Sequence, residues 1–153
     1  MKVCLGGTFN YLHKGHKCLI QKAIEVAGEN GSLFIGVTTK KLFKNKKGMK
    51  PFEYRKKEIE QYLFSEGYLG IITIKPIDDK YGPTLDEDFD AIIVSPETIS
   101  TAEEINQKRE KKEKKPLKII QIPYVLAKDG KPISSTRIAN NEIDKEGNML
   151  YKD

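Results

Sequence analysis

The sequence predicts an α/β fold: a single domain built on a mostly parallel, five-stranded sheet with helices on both faces. Short apolar runs of strand length recur along the 153 residues, and several are continuous, as in strands covered on both faces. Helical patterns lie between these runs, and such alternation is typical of a parallel sheet with crossover helices. Neither a repeat nor a Gly/Ser-rich linker interrupts the sequence, so we predict one domain over residues 1–153.

Five apolar runs are the predicted strands, one near residue 3 and the others at 32–38, 69–77, 90–95 and 117–122. In parallel sheets, ligands bind beyond the carboxyl ends of the strands. The residues that directly follow the first and the fourth run are therefore candidates for a functional site.

Three long helices are predicted between the strands. Residues 14–27 carry an apolar stripe at helical spacing. The segment 51–67 begins with a proline suited to a first turn and ends at a glycine. The segment 100–116 begins with Ser100 or Thr101 as its cap, and its run of lysines and glutamates indicates a solvated helix face.

Charge and composition limit the class of protein. The net charge is +5 and hydrophobic residues make up 38%, a profile typical of a soluble globular protein. No apolar run approaches the stretch of about 20 residues that spans a bilayer, and no signal-peptide pattern opens the sequence. We expect a cytoplasmic location, no membrane association, and buried free thiols at Cys4 and Cys18. The basic surplus is compatible with RNA, an anionic membrane or a polyphosphate substrate.

The stretch LGGTFNYLHKGHKCLI, residues 5–20, follows the first predicted strand and holds both histidines of the chain. A glycine pair lets the backbone turn tightly, Thr8 offers a hydroxyl, and the following helix points free N–H groups at the same place. His13 and His16 lie three residues apart, on one helical face or on the turn leading into it. Gly15, between them, leaves room for a bulky ligand. We expect an anion pocket in which two imidazoles donate hydrogen bonds to phosphate oxygens.

Two other interpretations of the histidines stay open, a zinc pair and a purely structural role. No further ligand cluster accompanies the pair, which disfavours zinc, and the glycines upstream disfavour a structural role. Neither GxGxxG nor GxxxxGK[ST] is present, so the common dinucleotide and P-loop patterns are excluded.

A second candidate site is ISSTRI, residues 133–138. Two serines and a threonine precede a helical-looking segment, as at an anion-binding helix start, and Arg137 adds a bidentate phosphate clamp. The alternative is an ordinary helix cap, which would need only one of these hydroxyls.

These motifs carry a family resemblance. GGTFNYLHKGH resembles the T/HxGH signature of the nucleotidyltransferase superfamily, and ISSTRI resembles its ISSTxI element. Residues 79–98 and 104–109 and the end of the chain are similar to archaeal phosphopantetheine adenylyltransferases and to the corresponding domain of eukaryotic coenzyme A synthase. The resemblance spans about residues 3–147 and implies a Rossmann-like domain. Asn10 departs from the pattern because the superfamily usually has an aspartate there, which puts a role in holding magnesium or orienting a loop in doubt.

The resemblance implies transfer of AMP from ATP to 4′-phosphopantetheine, with Mg²⁺ accompanying ATP and held mostly by substrate and water. The alternatives are a related nucleotidyltransferase with another acceptor, such as nicotinamide mononucleotide or glycerol 3-phosphate, or an RNA-binding module. The chain has only three arginines and no aromatic-and-basic RNA-binding pattern, so we expect no nucleic-acid partner. A monomer is the favoured oligomeric state.

The resemblance also implies roles for individual residues. His16 contacts the α-phosphate, His13 the leaving phosphates, and Thr8 both the acceptor and the α-phosphate. Among the lysines at 40–47, Lys41 is favoured as the one over the reacting phosphates. The implied ATP contacts are Gly7, Thr8, Phe9, His13, His16, Glu97, Arg109, Ser134, Ser135, Thr136 and Arg137. The implied phosphopantetheine contacts are Thr8, Lys41 and Tyr81.

Within that set, three assignments keep an alternative. Glu97 either reads the adenine or ribose or caps the next helix. Either Arg137 or Arg109 clamps the β- and γ-phosphates that the two serines and Thr136 cradle. No residues are assigned as metal ligands.

Overall fold

The computed structural model describes residues 1–39, 41 and 48–150. Its elements, in chain order, are β1 (Lys2–Gly7), α1 (Lys14–Ala27), β2 (Ser32–Thr38), α2 (Phe52–Ser65), β3 (Ile71–Ile77), β4 (Ala91–Val94), α3 (Ile99–Lys111), β5 (Lys118–Gln121) and α4 (Ser135–Ala139). Within these residues no helix is long and apolar enough to cross a membrane. All five predicted strands and the three predicted long helices are present: β2 and α1 have the predicted bounds, and most of the others are shorter at one or both ends.

The five strands form one sheet in the order β3-β2-β1-β4-β5, and every neighbouring pair is parallel. The predicted Rossmann-like α/β fold class is thus confirmed. The chain builds outward from β1 in one direction through β2 and β3, and then in the other direction through β4 and β5. The point where this direction reverses lies between β1 and β4, where α/β sheets of this kind open a crevice for ligands.

Helices cover both faces of the sheet. On one face, α1 and α2 pack on the strands in a core that includes Ile20, Ile35 and Ile59, each 0% exposed. On the other face, α3 packs through Ile105 on a second cluster that includes Cys4. Burial raises the pKa of the Cys4 thiol to about 12, which keeps it protonated. The prediction of a buried thiol holds for Cys4, whereas Cys18 is only half-buried.

Two helix ends differ from the sequence prediction. Helix α3 begins at Ile99 with Thr98 as its N-cap, so Ser100 and Thr101 lie inside the helix. It ends at Lys111, and the following lysines lie in a turn and an extended segment rather than on a helix face. The chain leaves the helix through Glu113, which adopts a left-handed φ of 59°. Likewise, Pro51 is the N-cap of α2 rather than its first helical residue.

The carboxyl-terminal segment packs across the carboxyl ends of β1 and β4. The Ser135 hydroxyl donates a hydrogen bond to the Asn10 carbonyl oxygen at 2.8 Å. The backbone N–H of Lys14, at the start of α1, donates to the Lys145 carbonyl oxygen at 2.9 Å. These contacts bring the second motif, which lies over a hundred residues further along the chain, against the first.

Candidate functional site

A cleft of about 400 Å³ lies beyond the carboxyl ends of β1 and β4. The loop after β1, the start of α1, the loop after β4 and the start of α4 form its walls. Most of the residues expected to contact ATP line it: Gly7, Thr8, Phe9, His13, His16, Glu97, Ser134, Ser135 and Thr136. The two motifs that the sequence singled out therefore form one site.

The two histidines cap α1 reciprocally. His13 is the N-cap residue, and its Nδ1 accepts hydrogen bonds from the backbone N–H groups of Gly15 (3.0 Å) and His16 (3.3 Å). In return, Nδ1 of His16 accepts from the backbone N–H of His13 at 3.2 Å. The rings stack with their centroids 3.6 Å apart. Each imidazole is thus held in place by the backbone of the helix start.

This arrangement determines where each ring carries its proton. Burial lowers the pKa of His13 from 6.5 to about 4, and burial together with the neighbouring His13 lowers the pKa of His16 well below its usual value. Both rings are therefore neutral near pH 7. Because Nδ1 accepts hydrogen bonds in each ring, the proton of each lies on Nε2. Each histidine retains one N–H donor that the helix start does not use.

The structure shows a further reason for a glycine at position 15. A Cβ at this position would lie 2.8 Å from Cε1 and 3.0 Å from Nδ1 of His13. The absence of a side chain makes room for the His13 ring over the helix start, and Gly15 also lines the cleft. Gly15 therefore supports the capping geometry that the histidine pair needs.

The loop after β1 is fixed by a buried arginine that the sequence analysis did not single out. Arg55, on α2 and 2% exposed, donates hydrogen bonds from Nη1 to the carbonyl oxygens of Thr8 (2.9 Å) and Thr38 (2.8 Å), and from Nε to that of Lys50 (2.9 Å). It joins the ends of β1 and β2 and the start of α2 below the cleft. The available signal was the rarity of arginine in a lysine-rich chain, since a rigid guanidinium suits such multiple hydrogen bonding.

Phe9 shapes the cleft through both its side chain and its backbone conformation. Its side chain is 0% exposed and packs beside the His16 ring, with the centroids 5.2 Å apart. Its backbone has a left-handed φ of 48°, which is uncommon for an aromatic residue and turns the chain sharply after β1. Thus the Phe9 ring supports His16 from the core side.

Asn10 uses both ends of its amide within the protein. Its Nδ2 donates to the Gly48 carbonyl oxygen at 3.0 Å, and its Oδ1 accepts from the backbone N–H of Lys50 at 3.1 Å. A carboxylate could not donate to the Gly48 carbonyl. Asn10 therefore ties residues 48–50 to the loop after β1, which is a loop-orienting role.

The hydroxyls of the second motif are not equivalent. Ser134 is the N-cap of α4, and its Oγ accepts from the backbone N–H of Arg137 at 3.2 Å. The proton of Ser135 is directed to the Asn10 carbonyl oxygen. Thr136 lines the cleft from the first turn of α4. The three residues of the motif therefore have different roles: Ser134 caps the helix, Ser135 joins it to the first motif, and Thr136 lines the cleft.

Neither arginine proposed as a phosphate clamp lines the cleft. Arg109 is 1% exposed and donates to the carbonyl oxygens of Thr84 (2.8 Å), Glu87 (3.0 Å) and Lys115 (2.8 Å). These contacts anchor the carboxyl-terminal end of α3, whereas the cleft lies by its amino-terminal end. The structure corrects the ATP-contact assignment for Arg109 because its guanidinium serves packing.

Arg137 also turns away from the cleft. Its guanidinium forms an ion pair with Asp129 and donates to the Pro132 carbonyl oxygen at 3.1 Å. The interaction lowers the pKa of the Asp129 carboxyl group. Arg137 therefore fixes the turn before the ISST segment instead of facing the residues of the first motif. The structure thus gives Arg137 a supporting role, and the phosphate clamp predicted for it stays a prediction.

A second cavity, of about 170 Å³, adjoins the cleft on the α3 side of the sheet. Its walls are mostly apolar and include Ile77, Ile93 and Ile105. Tyr81 lines it, and the Tyr81 hydroxyl donates a hydrogen bond to Glu104. The structure thus places Tyr81 beside the cleft but outside the part lined by the histidines.

The other predicted residues are placed as follows. Glu97 lines the cleft and is not the cap of α3, since Thr98 takes that position. Lys41 is exposed, and its Nζ lies 3.9 Å from Oδ2 of Asp78, beyond the end of β3. Lys40, Lys44, Lys46 and Lys47 lie outside the described residues.

The described residues show no cluster of three or more His, Cys, Asp or Glu side chains that could hold a metal ion. The histidine pair itself offers no such site, because both Nδ1 atoms accept backbone hydrogen bonds.

Comparison with known proteins identifies relatives over nearly the whole chain. Residues 4–141 match the cytidylyltransferase-like family. The phosphopantetheine adenylyltransferase of Methanosarcina mazei is 46% identical over 149 residues, which cover 97% of this chain and 96% of that protein. That of Archaeoglobus fulgidus is 43% identical over 151 residues, covering 98% and 100% of the two chains. A crystal structure from Archaeoglobus fulgidus, titled as a protein with unknown function, has a TM-score of 0.68 at 39% identity and covers 80% of this chain and 89% of that one.

Proposed function

This chain belongs to the phosphopantetheine adenylyltransferases of the cytidylyltransferase-like family, and we propose that it transfers AMP from ATP to 4′-phosphopantetheine. The products are dephospho-coenzyme A and pyrophosphate. The observation that carries this proposal is the near-complete similarity to proteins of that name, over a range that includes both motifs of the cleft. The protein is accordingly a nucleotidyltransferase that acts in coenzyme A biosynthesis.

The reaction mainly requires that the two substrates be held in the correct relative position. The acceptor phosphate is already an anion near neutral pH, and it attacks the α-phosphorus of ATP in line with the departing pyrophosphate. A P–O bond to the acceptor forms as the P–O bond to pyrophosphate breaks, so no general base is required. Catalysis then rests on aligning the two substrates and on stabilising the charge that shifts onto the phosphate oxygens.

In this proposal the histidine pair supplies fixed donors. The Nε2–H of His16 binds the α-phosphate, and that of His13 binds the phosphates on the leaving side. These assignments are supported by the hydrogen bonds that hold each ring through Nδ1. Because the rings are already held, the direction of each N–H does not have to be fixed when the substrate binds. Thr8 lies beside them in the cleft and holds the acceptor phosphate against the α-phosphate.

The opposite wall of the cleft takes the β- and γ-phosphates. The Ser134 hydroxyl accepts a backbone hydrogen bond and so keeps its own proton for a phosphate oxygen. Thr136 offers a second hydroxyl. Ser135 acts differently because its proton goes to Asn10, so it holds the wall in position. Glu97, three residues after the end of β4, lines the cleft, and its proposed contact is the adenine or the ribose.

The acceptor arm is proposed to occupy the second cavity. Its apolar lining suits the methyl and methylene groups of the pantetheine chain, and Tyr81 lies along that wall. Lys41 is proposed to swing from the exposed surface towards the reacting phosphates. Mg²⁺ is proposed to arrive bound to the ATP phosphates and water, and the described residues provide no cluster of ligands for it.

The test is pyrophosphate release by the purified protein with Mg²⁺ and four substrate pairs. ATP with 4′-phosphopantetheine is compared with ATP plus nicotinamide mononucleotide, ATP plus glycerol 3-phosphate, and CTP plus glycerol 3-phosphate. We expect release with the first pair alone, and mass spectrometry should identify dephospho-coenzyme A as the product.

Release with another pair would overturn the acceptor and retain the nucleotidyltransferase chemistry. Absence of release with every pair would contradict the proposal as a whole. The same preparation tests the remaining predictions: light scattering for the monomer, and titration with single-stranded RNA for the absence of a nucleic-acid partner. A cytoplasmic location is proposed because both substrates are intracellular metabolites, and fractionation of cells would test it.

A further inference from the structure

Thr38 stands at the junction of the cleft and the second cavity. It is the last residue of β2 and lines both spaces. The residue is only 8% exposed, and its Oγ1 is buried without a hydrogen-bond partner among the described residues. A polar atom in this state destabilises the free protein relative to an aliphatic side chain of the same shape.

Two other threonines that line these spaces, and the residue that follows Thr38, have hydrogen-bond partners. The Thr84 hydroxyl donates to the Tyr81 carbonyl oxygen at 2.6 Å, and Oγ1 of Thr98 accepts from the backbone N–H of Ser95 at 3.0 Å. Just beyond β2, the Thr39 hydroxyl donates to Asp78 at 2.7 Å. Among the described residues that line the two spaces, Thr38 alone has a side-chain polar atom that is fully buried and lacks a partner, so the fold itself does not account for its hydroxyl.

The Thr38 backbone is held firmly. Its carbonyl oxygen accepts the hydrogen bond from Nη1 of Arg55 at 2.8 Å, and β2 pairs with β3 up to Thr38 and Ile77. Only rotation about the Cα–Cβ bond is then needed to change the direction of the hydroxyl, among a small number of staggered positions. Thr38 therefore presents a hydrogen-bonding group at a fixed place on the wall between the two spaces.

We propose that the Thr38 hydroxyl is a substrate contact that binds the acceptor where its phosphate end joins its apolar arm. This inference rests on the proposed function, in which the acceptor phosphate lies in the cleft and the arm in the second cavity. An acceptor that spans both spaces passes Thr38, and its polar groups near the phosphate supply the partner that the fold lacks. Thr38 thus helps to select acceptors that carry a polar group at that point.

The test compares Thr38→Val with Thr38→Ser. Valine keeps the shape of the side chain and removes the hydroxyl, whereas serine keeps the hydroxyl. For Thr38→Val we expect the KM for 4′-phosphopantetheine to rise about tenfold, as for a lost hydrogen bond to a polar partner. The KM for ATP and the thermal midpoint of the free protein should not worsen. Thr38→Ser should stay within about threefold of the parent protein in the acceptor KM.

Thr73→Val is the matched control, because Thr73 lies on β3 outside both spaces and should leave all kinetic constants unchanged. An unchanged acceptor KM in Thr38→Val would overturn the inference. An equal loss for both substrates with a lower thermal midpoint would also overturn it, since that pattern indicates a structural role. Failure of the proposed function itself is recognised separately, as absence of turnover in the parent protein.

Discussion

Two helix starts face each other across the cleft, and they present their polar groups in different ways. At the start of α1, His13 and His16 cap the helix with Nδ1 and keep an N–H on the other side of the ring. At the start of α4, Ser134 caps through Oγ and Ser135 gives its proton to Asn10. An imidazole is a rigid ring, so the bond that Nδ1 accepts also fixes the direction of the Nε2–H, whereas a hydroxyl proton can still rotate after the oxygen has accepted a bond.

Because of this difference, the α1 wall and the α4 wall of the cleft have distinct roles in the proposed reaction. The α1 wall supplies donors whose direction is set before substrate binds. On the α4 wall the protons of Ser134 and Thr136 are free to rotate, and Ser135 serves to hold the two motifs together. Changes in the α1 wall should therefore affect turnover most, and changes in the α4 wall should affect alignment and nucleotide affinity.

The largest expected effect is that of His16→Ala. We expect kcat to fall about 10²- to 10³-fold while the protein stays folded, as for removal of one preorganised transition-state donor. Steady-state kinetics with circular dichroism checks this. Lys115→Ala, an exposed site on the lysine run, is the control and should change almost nothing. Near-normal turnover in His16→Ala would remove the role proposed for that ring.

The next largest effect is expected at His13, where two substitutions separate the helix-capping role of the side chain from its role as a hydrogen-bond donor. Asparagine is a strong N-cap residue, so His13→Asn should retain stability, whereas His13→Ala should lose about 0.5–2 kcal/mol of unfolding free energy. Both should lower kcat about 10- to 100-fold, because both lack the Nε2 donor to a charged phosphate. Urea unfolding and kinetics measure the two properties. Full activity in His13→Asn would show that only the cap matters.

Acid should destabilise the protein through the same pair. The pKa of His13 is lowered to about 4 in the folded protein from 6.5, so the unfolded chain binds the proton first. Stability is therefore complete above pH 6.5 and is lost as the pH falls towards 4, by about 1.4 kcal/mol per pH unit from His13 alone. Urea midpoints at pH 7.5, 6 and 5 measure this. His13→Asn should show a shallower slope, and equal slopes would contradict the assignment.

The smallest effect is expected on the α4 wall. Ser135→Ala removes the bond to Asn10 but no donor to phosphate, so kcat/KM for ATP should fall only about 2- to 10-fold. Ser135→Thr keeps the hydroxyl and is the matched control. A loss as large as that of His16→Ala would mean that the two walls contribute alike, and the distinction between them would fail.

The fold was predictable because its signals are local and repeated. Continuous apolar runs alternate with amphipathic segments from residue 2 to residue 121, and this order leaves few topologies other than a parallel sheet. The first motif was predictable for a related reason, since the glycines, Thr8 and both histidines lie within ten residues of one strand end. Their chemistry could be judged without knowing any distant contact.

The roles of the arginines and of Thr38 could not be predicted, because they depend on contacts between segments that are distant in the sequence. Arg109 and Arg137 bind carbonyl and carboxylate oxygens of other loops, and a sequence shows only that each has a charge suited to phosphate. Arg55 joins three loops from inside a helix with a weak apolar pattern. The orphaned hydroxyl of Thr38 becomes visible only when its neighbours are known. Such polar contacts in the interior have no periodicity, so the sequence cannot rank them.

The bond between Ser135 and Asn10 has a consequence for how the protein is made. A chain leaves the ribosome with its amino end first, and domains begin to fold in that order. All five strands are available once Gln121 has emerged, but α4 comes later. The sheet can thus assemble on the nascent chain before the second wall of the cleft exists. A translation product cut short after β5 would contain the strands and the histidine pair but lack Ser134, Ser135 and Thr136, which line the cleft opposite them.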